Sequence, residues 1–297
     1  QDTVKPSFKA STQIVPVTTF EELKYKNFNS YLDFYKNYRV RLSENNNNIV
    51  DGEYVYNNLV MNDFIDYSSF RKINKDYLLE LFLEKINENK FKIDAIKKFE
   101  LVKKENYKSI QQYNQAILKA ATNLRISSEA KIGDSQAPNF QWFVQYNTVD
   151  RDSYMDFLNF YEKSVNLEIQ RYLKNNFDES IYNQKIFQKY KLEDIDIDIE
   201  IRSTNMKKNQ IYVEQLKKYK QNIKENQSLN RLEFSFNSTP VTKPNEFHAS
   251  KLIIKSTDFT NISRPETNIY TKVIFTMLSF AVLAIFYIII SKKIRTK

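Results

Sequence analysis

The chain has 297 residues, a formal charge of +9, no cysteine, two glycines (Gly52 and Gly133) and one histidine, His248. Disulfides and thiol chemistry are therefore excluded, and with a single histidine neither a His/Cys metal site nor a His-based triad is expected. A phosphate-cradling loop needs several glycines to bring backbone N–H groups to the anion, so neither a P-loop nor a dinucleotide fingerprint can be built.

The excess charge is unevenly placed. Glu266 is the last acid, and Lys272, Lys292, Lys293, Arg295 and Lys297 follow it. Residues before them are close to balanced, with the two signs interspersed. That is unlike the basic patch of a nucleic-acid binder, and no nucleic-acid partner is expected.

From the start, "FKASTQIVPV" reads as a strand ended by Pro16, and Thr18 with Glu21 forms a capping box for a helix. Phe28, Leu32, Tyr35 and Leu42 recur at helical spacing to about Ser43, and "SENNNNIVDG" is a loop by composition. "DYLLELFLEKI" places Leu78, Leu79, Phe82 and Ile86 on one helical face, and the pattern continues through Ile93, Ile96 and Phe99. A further helix runs from about Ser109 with Ile110, Tyr113, Ile117, Ala120 and Leu124. Gly133 and Pro138 interrupt, and "NFQWFVQYN" is aromatic and β-branched enough for a strand. Ser153 then heads a long helix in which Tyr154, Leu158, Tyr161, Val165, Ile169 and Tyr172 repeat at three and four.

A second helical pattern covers about 206–228 through Tyr212, Leu216, Tyr219 and Ile223. "RLEFSFN" alternates as a strand would, and "SKLIIKS" reads as a strand leading toward the C-terminus. Sequons at Asn226, Asn237 and Asn261 are expected by chance in a chain this rich in asparagine.

Val273 to Ile290 is a run of eighteen uncharged, mostly apolar residues, about 27 Å as a helix and close to the hydrocarbon thickness. Tyr270 and Tyr287 lie near its ends, and four cations follow within six residues. The expectation is a transmembrane helix at 272–291, a basic cytoplasmic tail at 292–297 and residues 1–271 on the outer side, with membrane lipid as one partner. An outer domain must be exported, so a segment preceding Gln1 is expected as well.

"LEDIDIDIEIR", residues 192 to 202, is ambiguous. Its acids suggest a cation, and Asp194, Asp196 and Asp198 match the first positions of a calcium loop. Ile199 and Asn205 then stand where that loop needs Gly and Glu, so it is not an EF-hand. Alternation favours a strand, although four acids on one face would need a cationic partner strand.

Three pieces resemble one family in the same order: the Wzz-type O-antigen chain-length determinants, the polysaccharide co-polymerases of bacterial inner membranes. The first is Phe8 to Val17, similar to an aromatic-x-Ala-x-x-x-Ile/Val-x-Pro strand that follows a first transmembrane helix. The second is the strand, turn and helix of 139–176, with Tyr161, Val165-Asn166, Glu168 and Leu173-Lys174 at matching positions. The third is "KLIIKSTDFTNISRPETNIYTK", 251–272, before the last span. The chain differs in having one proline, Pro265, close to that span and no glycine within it.

The resemblance implies an α+β fold: a small mixed sheet with packed helices near the membrane, and an extended helical stem at about 153–228. It implies a first span just upstream of Gln1 and a helix through 192–202, the reading adopted here. It further implies a periplasmic, ring-like homo-oligomer that sets polysaccharide length with a Wzy-type polymerase and the growing glycan. No catalytic, cofactor-binding or metal-binding residue follows from it, and no enzyme activity. Two other classes stand beside it. A single-span accessory subunit of a membrane complex, mitochondrial for example, predicts a fixed hetero-complex. A tethered carboxylate-only hydrolase predicts paired acids in a cleft. Trp142 and the tyrosines could stack on sugars, but large aromatics more often fill cores.

Overall fold

A computed structural model describes residues 7–45, 65–131, 139–204, 206–243, 245–262 and 277–278. The elements are strands β1 (Phe8–Pro16), β2 (Arg125–Lys131), β3 (Asn139–Thr148), β4 (Ser250–Leu252) and β5 (Asp258–Asn261). The helices are α1 (Thr19–Glu22), α2 (Lys26–Asn45), α3 (Lys75–Ile86), α4 (Asn89–Lys98), α5 (Ile110–Asn123), α6 (Arg151–Ser203), α7 (Met206–Glu225) and α8 (Ser228–Asn237).

β1 is the centre of the sheet. It pairs along one edge with β3, from Phe8–Thr148 to Ile14–Trp142. Along the other edge β4 takes its last residues and β5 its first. β2 pairs with β3 at the outside. Every pairing among the described residues is antiparallel, which corrects the expected mixed sheet. The reason is the crossover through α6, α7 and α8. It sets β4 on the far side of β1, so strands that run the same way, β3 and β4, are never neighbours. Ala10, Thr12 and Ile14 point from β1 into the core beside Val144 of β3. Phe8 pairs with Asn261, so the residues entering the domain and those leading toward 272 lie side by side.

The capping box at α1 forms as read: Glu21 N–H donates to the Thr18 hydroxyl and Thr18 N–H to the Glu21 carboxylate. Phe28 and Leu32 of α2, and Leu78, Phe82 and Ile86 of α3, are buried on their expected faces. Ser109 caps α5, but Ile110 at its first turn is exposed. Asp150, not Ser153, is the N-cap of α6; its carboxylate accepts the N–H groups of Asp152 and Ser153 and the Ser153 hydroxyl.

α6 is one helix of 53 residues, about 80 Å long. Its first half buries Tyr154, Phe157, Leu158, Tyr161, Val165 and Ile169 beneath the sheet, with successive ring contacts at 5.5–5.7 Å. Tyr172, expected on that face, is exposed. Farther along, Phe177 stacks on Phe236 of α8 at 3.7 Å and meets Phe28 of α2 edge-on at 5.9 Å.

"RLEFSFN" is the second half of α8, not a strand. Leu232 and Phe236 are one helical turn apart and buried, while Phe234 between them is 78% exposed. A strand would have aimed all three one way. Trp142 is half-buried and packs against the core.

The asparagine-rich loop from 46, Gly52, Gly133 and Pro138 lie outside the described residues. So does the expected span 272–291, apart from helical, exposed Met277 and Leu278. Among the described residues no helix is long and apolar enough to cross a membrane.

Candidate functional site

Two features stand out: the grip of α6 on the sheet edge that leads to the C-terminus, and the free arm made by distal α6 with α7.

The grip centres on Asn166, one of the motif positions. Its side chain is buried, its Nδ2 donates to the Ser250 carbonyl at 3.0 Å, and its Oδ1 accepts the Ala249 N–H at 2.7 Å. One turn earlier, the Glu162 carboxylate accepts the Leu252 N–H at 2.9 Å. One turn later, Gln170 Nε2 donates to the carbonyls of Val241 and Lys243. These three side chains share a helical face and fasten 241–252 by backbone groups alone. Burial raises the Glu162 pKa, against the opposing pull of the Leu252 N–H and Lys251.

Beside this grip a shallow recess holds His248 with Val17, Glu21, Lys24, Tyr25, Pro240 and Glu246. Glu21 has an ion pair with Lys251 at 2.6 Å. Desolvation opposes its ionisation, but Lys251 and the Thr18 N–H and hydroxyl outweigh it and hold the pKa down to about 2. Burial lowers the His248 pKa, and Lys251 adds to the effect. A carboxylate whose folded pKa is depressed stabilises the fold above its ordinary value of 4.5, and that contribution is lost as pH falls toward 2. Thermal melts of the wild type should therefore decline over this window, and Glu21→Gln should flatten the decline. Parallel pH profiles for the two proteins would count against the assignment.

The arm explains "LEDIDIDIEIR". At about 100° per residue, a two-residue repeat in a helix separates into four rows. Ile195 and Ile199 share one row and Ile197 and Ile201 the opposite one. The acids fall between, Asp194 with Asp198 on one flank and Asp196 with Glu200 on the other. Accordingly Ile195 is 5% exposed against α7, whereas Ile197 and Ile201 are 56% and 63% exposed. α7 answers with Val213, Leu216, Tyr219 and Ile223, all buried. Lys220 of α7 pairs with Asp196, and Asp198 accepts from Arg202 at 2.8 Å and from the Tyr212 hydroxyl at 3.3 Å. The cationic partner that a strand would have needed is thus supplied by a helix. Among the described residues no group of three or more His, Asp or Glu side chains could hold a metal ion.

Solved structures to which the chain is similar include the following three. The chain is similar to a full-length bacterial polysaccharide co-polymerase at 11% identity and a TM-score of 0.43, with 95% of this chain and 85% of that one covered. It is similar to a fragment of WzzB, the polysaccharide co-polymerase of Salmonella Typhimurium, at 12% identity and a TM-score of 0.39, covering 88% and 99%. A mutant of the Shigella flexneri lipopolysaccharide O-antigen chain-length regulator matches at 11% identity and a TM-score of 0.38, covering 87% and 100%. No family model matches the chain, and no curated protein matches it.

The motif positions Tyr161, Val165 and Asn166 meet in the body, where Tyr161 donates to the Ile86 carbonyl. Leu173 is buried in the same core, whereas Glu168 and Lys174 are turned to partners on α6 itself, Arg171 and Asp178. Glu162 and Gln170 carried no sequence signal, because their partners are backbone groups far along the chain.

Proposed function

We propose that this chain is a membrane-anchored, non-catalytic regulator of polysaccharide chain length. It works at the inner membrane as an oligomeric scaffold for a Wzy-type polymerase and the growing glycan, with its bulk in the periplasm and its C-terminus in the cytoplasm. The observation that carries this reading is the placement of the ends relative to the arm. Phe8 pairs with Asn261, so the two ends of the domain leave one sheet side by side at the same end of its strands. α6 starts beside that end, grips β4 near the opposite end of β1 through Asn166, and runs to Ser203 as a single helix of 53 residues. A domain built this way suits suspension from the 272–291 span, with a rigid arm held at a fixed attitude to it. The three sequence pieces of the resemblance make up this unit: β1, the β3–α6 junction, and β4 with β5. Length control needs geometry and surface, which fits a chain whose composition leaves no thiol nucleophile and no phosphate loop.

Deletion in the source bacterium, followed by a gel of surface polysaccharide lengths, tests the reading. The expected result is loss of the modal length, restored by the full chain. An unchanged distribution overturns it.

A further inference from the structure

The two outer sides of the arm differ in a way the hairpin itself does not use. Opposite its α7-facing side, α6 carries an exposed apolar stripe: Phe187, Tyr190, Ile197 and Ile201. Asp194 and Glu200 flank it, exposed and without an ion pair among the described residues. α7 has the reverse character, with six lysines against two glutamates. On its side away from the core, Ile211 is 74% exposed, and Lys217 and Lys218 are exposed without ion pairs among the described residues.

The two sides also match in height. Arg202 lies over the Tyr212 ring at 4.0 Å and Lys220 pairs with Asp196, which fixes the register of the hairpin. Ile211 therefore sits level with the end of α6 near Ile201. Lys217 and Lys218 sit level with 196–198.

We propose that these two sides are the two halves of one contact between copies of this chain: the acid-flanked stripe of α6 on one copy receives Ile211, Lys217 and Lys218 of α7 on the next. The proposal rests on the assembly part of the function proposed above, since a shared membrane anchor holds copies upright and at one height. Charge decides among the contacts then available. A two-fold axis along the membrane normal would set α6 against α6, acids facing acids, or α7 against α7, lysines facing lysines. Only the head-to-tail arrangement joins unlike charges while covering apolar surface, and a head-to-tail contact repeated about one axis closes a ring.

The absence of cysteine gives a clean test. Ile201→Cys and Ile211→Cys are made in the full chain, singly and together, in detergent micelles, and treated with a short bis-maleimide. The expected result is no cross-link from either single variant, a dimer when the two are mixed, and a ladder of higher species from the double variant. Lys217→Glu with Lys218→Glu should weaken the ladder about tenfold, and Asp194→Lys with Glu200→Lys in the same chain should restore it. Self-cross-linking of Ile201→Cys alone overturns the head-to-tail contact. Absence of every cross-link, with higher-order species still present by light scattering, overturns this interface and leaves the assembly reading standing. A monomer at all concentrations overturns both.

Discussion

Phe177→Ala is expected to destabilise the domain by about 3–5 kcal/mol, the largest effect of any single truncation in the arm. Phe177 sits where α6 leaves the body. It lies flat on Phe236 with a 7° interplanar angle and meets Phe28 and Phe70 at 5.9 and 5.6 Å. Truncation removes the ring that α2, α8 and the segment around Phe70 all touch. Three separate elements line the resulting void, and each is held elsewhere: α2 by Asn29, whose side chain both donates to and accepts from the Ile73 backbone, and α8 by Lys185–Glu233. The void therefore closes poorly. Equilibrium urea unfolding of the full chain measures the loss. Phe234→Ala on the exposed side of α8 is the matched control, with an effect within about 0.5 kcal/mol. A Phe177→Ala loss below about 1 kcal/mol would mean that the helices collapse onto the vacancy and that the aromatic cluster does not fix the arm. On the proposed function, a partial loss should also broaden the polysaccharide length distribution, because the arm's attitude to the sheet becomes variable.

Most helices were legible because their apolar residues recur at three and four and each has one face to bury. One misreading and one ambiguity share a cause. "RLEFSFN" and "IDIDIEI" both alternate, and alternation over a few residues is also what a helix shows when both of its sides carry apolar groups. In α8 one side is covered by Phe28 and Phe177, and Phe234 is left out. In distal α6 one isoleucine row meets α7 and the other faces outward. Period alone cannot separate these cases, because the partners that decide them lie far away in sequence. β2 left even less trace: "RISSEAK" has one large apolar residue, Ile126, and takes its form from pairing with β3. The grip of α6 on β4 was hidden for the same reason. Asn166 was visible as a motif position, but its role depends on backbone groups more than 80 residues further on, as its separations of 83 and 84 from Ala249 and Ser250 record.

That grip yields the second large effect. Asn166→Ala should destabilise by about 2–6 kcal/mol, because it strands a buried N–H and a buried carbonyl, each penalised by about 1–3 kcal/mol. Packing is a minor part, so Asn166→Leu, which fills the space without polar atoms, should be no better. Asn166→Asp separates the two bonds. Its carboxylate can still accept the Ala249 N–H, but it faces the Ser250 carbonyl with no proton to donate. Burial against a carbonyl raises the pKa of that new acid in the folded state. Its destabilisation is then full at neutral pH and shrinks, relative to wild type at the same pH, as pH falls through the raised value and a proton becomes available for Ser250. Melts of both proteins from pH 7 to 4.5 measure this above the window in which Glu21 titrates. A deficit independent of pH would show that the Ser250 bond contributes little and that the Ala249 bond carries the clamp. Hydrogen exchange reads the local consequence. The N–H groups of Ala249 and Leu252 should lose protection together in Asn166→Ala, since Glu162 holds Leu252 only while β4 lies against α6. β4 is the strand through which the chain passes to β5 and on toward 272–291. Its release would free the arm from its anchor while leaving the hairpin of α6 and α7 intact, so on the proposed function this variant should still assemble but lose control of length.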